Sequence, residues 1–225
     1  MKPYFQIEDH SIYNCKWQDL DTDLIAGADL MIADPPYGIS ESKKRNETRG
    51  KIAQAQSYPI EDWDSQPPSK DDTEALLALD MEKVIWGANH IGLPPSSSWL
   101  VWNKDNGKSH FADCELAWTS HKTAVRKIDW RWQGMLQQPG HKKEVRYHRC
   151  QKPIGMLAQV LDRFSDDGDL IFDPYAGVCS VALACIFNGR QSISCEVSEQ
   201  YCEIGAKRLE ASLAGNDAFL FQGAK

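Results

Sequence analysis

Two apolar runs that each end on Asp-Pro constrain this chain more than any other feature. Leu30-Met31-Ile32-Ala33 leads into Asp34-Pro35-Pro36-Tyr37-Gly38, and Leu170-Ile171-Phe172 leads into Asp173-Pro174-Tyr175-Ala176-Gly177. Proline cannot continue a central strand, so each run reads as a strand that stops there. After the second, the chain alternates: a small-residue helix over 180–188, a strand over Ser192–Cys195 and a helix over 199–212. Pro153 predicts the first position of a further helix, with Leu157, Val160, Leu161 and Phe164 on one face. Alternating strands and helices predict an α/β fold, a mostly parallel, doubly wound sheet. In such sheets ligands bind beyond the carboxyl ends of the strands, where both Asp-Pro turns fall.

Between the turns the reading is more varied. Residues 71–80 predict a helix opened by acidic residues, and Lys83–Gly87, Trp99–Trp102 and Glu115–Trp118 predict strands. Residues 38–70 are polar, with Lys43, Lys44, Arg45, Arg49 and Lys51 clustered. A loop of that length is usually functional or disordered, and residues 39–66 are expected to be mobile and to order over a polyanion. Residues 121–150 show no clear period and read as an irregular insertion. Trp130 and Trp132 within it are read as its core anchors rather than as wedges.

Charge separates that insertion from the rest. The net charge is −7, yet residues 121–152 hold nine basic residues against Asp129 and Glu144, so the remainder carries −14. An acidic body with one basic segment is compatible with a polyanionic partner, and equally with a solvated basic face. The seven cysteines include no CxxC pair and no HExxH is present, so neither a disulfide framework nor a metal site is expected. The longest apolar run, residues 181–187, is too short to span a bilayer, and the N-terminus lacks a secretion-signal core, so a cytoplasmic protein without a membrane partner is expected.

The residue types point to chemistry on a nucleoside and a base. Glu196 closes a strand about 20 residues after the glycine-containing turn, where an acid typically accepts hydrogen bonds from ribose hydroxyls. The turn alone would be an ordinary β-to-α connection; with Glu196 it reads as a nucleotide-type cofactor site. Asp34–Tyr37 offers a carboxylate, a backbone carbonyl and an aromatic face on a rigid strand end. An exocyclic amino group needs such acceptors, and a planar base needs something to stack on.

These motifs resemble those of the amino-methylating DNA methyltransferases. Asp34-Pro35-Pro36-Tyr37 looks like the family's DPPY motif, Asp173–Ser180 like its DPFxGSGT cofactor motif, and Gln151-Lys152-Pro153 like the QKP before it. Gly189-Arg190, Glu196, Tyr201 and Arg208 match the closing segment, and residues 86–119 resemble the middle of bacterial and phage adenine methylases. The catalytic motif comes first, as in the permuted β group, with a target-recognition segment expected at 121–147. The resemblance implies a single Rossmann-like methyltransferase domain over 1–225. It implies S-adenosylmethionine as cofactor and double-stranded DNA as partner, with transfer of a methyl group to the N6 amino group of a flipped adenine. Asp34, Pro35, Pro36 and Tyr37 would be catalytic. Lys152, Pro153, Asp173, Tyr175, Ala176, Gly177, Cys179, Ser180 and Glu196 would bind the cofactor. Arg126, Lys127, Arg131, Lys142, Lys143 and Arg146 would bind DNA.

Cytosine-N4 methylation and a catalytically silent DNA-binding relic are the alternatives. A serine is more usual than Asp34 in the cytosine branch. A homodimer and a paired restriction endonuclease are both compatible with the family. Cys179 stands where the family has glycine, and Lys16 at or beside a usual aspartate. The added Cβ and sulfur of Cys179 are expected to crowd the cofactor and weaken its binding.

Overall fold

The computed structural model describes residues 1–39, 65–107, 112–133 and 136–222. The basic cluster of the long loop and nearly all of residues 39–66 therefore lie outside the described residues. The strands are β1 (Phe5–Ile7), β2 (His10–Tyr13), β3 (Leu30–Ala33), β4 (Glu82–Trp86), β5 (Trp99–Asn103), β6 (Cys114–Thr119), β7 (Arg126–Asp129), β8 (Trp132–Gln133), β9 (Leu136–Gln137), β10 (Leu170–Asp173) and β11 (Gln191–Cys195). The helices are α1 (Thr22–Ile25), α2 (Lys70–Ala78), α3 (Ile154–Phe164), α4 (Ser180–Phe187), α5 (Glu199–Leu213) and α6 (Asp217–Leu220).

Nine strands form one sheet in the order β1-β2-β11-β10-β3-β4-β6-β5-β7, with β8 and β9 a separate hairpin. Strands β2, β11, β10, β3 and β4 are mutually parallel. β6 runs against β4 and β5, β7 runs parallel to β5, and β1 runs against β2. All strands but β1 and β6 thus point the same way, and their carboxyl ends share one edge. From β3 the chain moves outward to β4, and from β10 it moves the other way to β11. The switch point therefore lies between β10 and β3, the strands that end in the two Asp-Pro turns.

The central strands are apolar on both sides, as burial on two faces requires. Leu30, Ile32, Val84, Trp86 and Ile171 face α3, α4 and α5 in one core. Met31, Ala33, Ile85, Phe172 and Ile193 face the opposite core with Trp17, Ile25 and Leu76. Each expected strand and helix forms, with ends shifted by a residue or two. Pro153 caps α3 in an extended conformation rather than occupying its first turn. Pro153 has no side chain able to accept from the free helix amides. Glu144 does it instead: its Oε1 accepts from the Ile154 amide at 2.8 Å. Burial lifts the Glu144 carboxyl to about 7, against the pull of the α3 amides and Arg208.

The basic segment is more regular than its sequence predicts. β7 is an edge strand of the main sheet, and the β8–β9 hairpin follows it. Only Ile128 of β7 is buried, so the apolar signal there is too sparse to show a period. Tryptophans do the anchoring, as expected. Trp102 Nε1 donates to the Trp130 carbonyl at 2.8 Å, Trp132 Nε1 donates to the Gln151 carbonyl at 3.1 Å, and the Trp130 ring lies against Gly155.

Candidate active site

The turn after β10 is closed largely by its own backbone. Asp173 is buried, and its Oδ1 accepts from the Tyr175 amide at 3.1 Å. The Ala176 amide donates to the Cys195 carbonyl at 2.9 Å, and the Gly177 amide donates to Glu196 Oε2 at 2.8 Å. Glu196 Oε1 accepts from the Ser198 amide at 2.8 Å. Asn14, at the end of β2, ties the Glu196 and Val197 carbonyls at 2.9 and 3.0 Å. Trp17 Nε1 donates to the Tyr175 hydroxyl at 3.2 Å. Arg208, fully buried in α5, donates to the Val178 carbonyl and the Ser180 hydroxyl. Asn14 and Trp17 could not be picked out in the sequence, because nothing local marks which turn they reach.

Cys179 sits in the left-handed region, at φ 60° and ψ 42°, as the family's glycine would. Its side chain is fully buried and enters a notch on α5. A Cβ on Gly205 would come within 2.4 Å of the Cys179 sulfur. The sulfur packs into the helix layer, against Gly205 of α5. Lys16 is exposed at the start of a short 3-10 turn.

The turn after β3 is held instead by distant side chains. Tyr37 donates its hydroxyl to Asp34 Oδ1 at 2.6 Å. Lys152 Nζ donates to Asp34 Oδ2 at 2.7 Å and to the Tyr37 hydroxyl oxygen at 3.2 Å. The same ammonium lies 3.1 Å from Glu115 Oε2, whose other oxygen is paired with Lys104. Sequence reading put Lys152 with the cofactor turn; in the structure its ammonium rests on Asp34, at the switch point between the two turns. Gly87, at φ 66°, supports the Tyr37 ring so closely that a Cβ there would lie 2.0 Å from Tyr37 Cε1. His90 stacks on that ring, centroids 5.3 Å apart and planes 15° from parallel. Pro35 is buried and Pro36 half-buried.

The electrostatics follow from this packing. Burial alone would favour a neutral Lys152, but Asp34 and Glu115 overcome it and hold the ammonium well above the ordinary lysine range. Burial also opposes the charge on Glu115, yet Lys152 and Lys104 pull it down to about 2. Burial drives Asp173 well above the usual carboxylate range, and the charges of Asp34 and Glu196 add to the rise. Burial and the Asp34 charge likewise push the Tyr37 phenol up.

The basic residues singled out in the sequence lie on several elements, and some are paired with carboxylates. Arg126 and Lys127 are exposed on β7, and Lys127 lies 3.0 Å from Asp129. Arg131 is paired with Asp105, and Lys142 with Asp217 of α6. Lys143 is exposed, while Arg146 lies over the Trp132 ring at 5.5 Å.

A model of the DNA methylase family matches residues 102–207, which run from β5 through the Asp173 turn into α5. The matched stretch is 106 of the 225 residues, and over it the chain is similar to this family. DNA adenine methyltransferase YhdJ of Escherichia coli is 32% identical over 69 residues, 31% of this chain and 24% of that protein. The orphan methyltransferase M.BamHII of Bacillus amyloliquefaciens is 38% identical over 142 residues, 53% of this chain and 50% of that one. The matches thus span half or less of these relatives' lengths. The solved PvuII DNA methyltransferase (cytosine-N4-specific) aligns with 97% of this chain and 95% of its own, with TM-score 0.56 and 14% identity. The M1.HpyAVI–SAM complex aligns over 89% and 98%, with TM-score 0.50 and 18% identity. At those identities the likeness is one of fold, a Rossmann-like methyltransferase fold. Among the described residues no helix is long and apolar enough to cross a membrane.

Proposed function

We propose that this chain transfers a methyl group from S-adenosylmethionine to the N6 amino group of an adenine flipped out of duplex DNA. The observation that carries the reading is Asp34: a carboxylate at the end of β3, beside an aromatic ring, on the strand adjacent to the Asp173–Ser180 turn. The surroundings of that turn suit a cationic nucleoside. The carboxylates of Asp34 and Glu196 each lie close enough to act on the buried Asp173 carboxyl, and a Cβ added at Gly177 would meet nothing within 4 Å. Glu196 would hold the ribose, and Asp173 to Ser180, with Lys152 and Pro153 on the other side, would enclose the remainder. When bound, S-adenosylmethionine supplies an electrophilic methyl group, so neither a metal nor a covalent enzyme intermediate is required.

The protein's own residues then align and discharge. Each Asp34 oxygen can accept more than one hydrogen bond, so Oδ1 can take an amino hydrogen while Tyr37 and Lys152 keep the carboxylate in place. The Pro35 carbonyl accepts the second hydrogen, which turns the nitrogen lone pair toward the methyl group. Once methylated, that nitrogen sheds a proton, and the Asp34 carboxylate receives it. Tyr37 offers its ring for stacking once the base takes the face on which His90 lies, with Pro36 keeping the turn rigid. Arg126, Lys127, Arg131, Lys142, Lys143 and Arg146 bind phosphates and fix the duplex without reading sequence.

The reading is tested by incubating the protein with radiolabelled S-adenosylmethionine and unmethylated DNA, then sequencing with modified-base detection. N6-methyladenine at a defined site supports it. N4-methylcytosine moves the assignment to the other amino-methylating branch. DNA binding with no label transferred supports a silent relic instead.

A further inference from the structure

We propose that Glu115, acting through Lys152, is a positioning residue that sets the orientation and proton affinity of Asp34. The proposal rests on Asp34 being the amine acceptor. It concerns a chain of alternating charge that starts near the surface and ends at the reacting group: Lys104, Glu115, Lys152, Asp34. Lys104 also lies over the Trp102 ring at 4.8 Å, so the outer end of the chain is fixed as well. Lys152 is the link. Its ammonium donates to Asp34 Oδ2 at 2.7 Å and to the Tyr37 hydroxyl oxygen at 3.2 Å, and forms an ion pair with Glu115 Oε2 at 3.1 Å. The four residues come from β6, the ends of β3 and β5, and the segment before α3. They converge because β6, running against its neighbours, begins at the edge where the others end.

A second carboxylate changes what Asp34 can do. A buried lysine paired with Asp34 alone would neutralise it, and a neutralised carboxylate is a poor destination for the proton that the methylated amine must lose. Sharing Lys152 between two carboxylates leaves Asp34 less fully neutralised than a one-to-one pair would, although with Lys104 on Glu115 the four residues together carry no net charge. Glu115 makes no bond to Asp34 among the described residues, so its influence passes through Lys152 and through space. The carboxylate oxygens are no more than about 6 Å apart. At that separation and an effective dielectric near 20, removing one charge shifts its partner's titration by about one to two pH units. Other charged or titratable groups near Asp34 and Lys152 are Asp173, Tyr37 and His148. Burial, aided by Lys152, Arg146 and Arg149, lowers the His148 imidazole to about 4, so it stays neutral.

The experiment compares the full chain with Glu115→Gln, Lys104→Met and the double variant. For Glu115→Gln, kcat falls about tenfold, KM for DNA stays within about twofold, and the acid limb of the kcat–pH profile moves down by about one unit. Lys104→Met moves that limb upward, and the double variant returns part-way to wild type. A merely structural glutamate would not produce opposite shifts that cancel. Carbon-13 NMR of the Asp34 carboxyl in cofactor-free protein provides the second readout, with titration at lower pH in Glu115→Gln than in wild type. If neither the limb nor the carboxyl titration moves in any variant, the proposal is overturned. Should Glu115→Gln fail to fold, Lys104→Met alone decides, by the presence or absence of the upward shift. If the wild type transfers no methyl group, the functional reading fails, and the NMR titration still decides whether Glu115 acts on Asp34.

Discussion

The two Asp-Pro turns lie on neighbouring strands and look alike in sequence, but opposite means hold them in place. The turn after β10 is closed mainly by bonds from its own backbone and from the downstream Glu196 and Arg208, with one distant bond from Trp17 to the Tyr175 hydroxyl. The turn after β3 depends on Lys152, which is 118 residues away, on Glu115, and on a ring resting on Gly87. A locally built turn tolerates change elsewhere in the fold. A turn held by buried charges is sensitive to every member of the set, because removing one partner leaves another uncompensated.

The sharpest break in this comparison is Asp34→Ala. Transfer should fall by roughly a hundredfold or more, since the ionised acceptor at the reacting nitrogen is lost. The protein should remain folded, as judged by circular dichroism. Turnover near wild type would remove Asp34 from the chemistry.

A second test acts on the β10 turn from behind. Gly205→Ala should destabilise the protein by about 1–3 kcal/mol in denaturant unfolding, because the new methyl group collides with the Cys179 sulfur. Adding Cys179→Gly should recover most of that loss, and Cys179→Gly alone should leave S-adenosylmethionine affinity within about twofold in calorimetric titration. Additive losses would show that the two residues do not share a notch. Markedly tighter cofactor binding would show that the sulfur does crowd the pocket.

The smallest effect concerns the basic segment. Replacing Arg126, Lys127, Lys142 and Lys143 with alanine should lower the slope of log K for DNA against log salt by about two units. Four independent phosphate contacts would give more, but Lys127 and Lys142 already lie on Asp129 and Asp217. An unchanged slope would make the segment a solvated face.

The sequence made the β10 side far more legible than the β3 side, for a physical reason. Strand, turn, helix and acidic strand end follow one another within residues 170–196, so their spacing carries the geometry. Asp34–Tyr37 stood out as a motif, but the partners of Asp34 did not. Glu115 is one charged residue in an otherwise apolar strand, a signal that marks an unusual position without saying what it faces. Lys152 is recognisable through its motif, but its bond to Asp34 is not, since sequence spacing cannot show which turn a long side chain reaches. The edge strand β7 was missed because one buried residue in four gives no alternation to read.

That edge strand has a consequence for how the protein keeps apart from copies of itself. β7 is the last strand of its sheet among the described residues, and its outer backbone groups could template another strand. Arg126, Lys127 and Asp129 are exposed along it, and charges on an edge discourage that pairing. At the far end, β1 is only three residues long, too short to recruit a stable neighbour. The side chains that we assign to phosphate contact thus also act as a barrier to sheet extension. Stripping them to alanine removes a defence against aggregation as well as a grip on DNA.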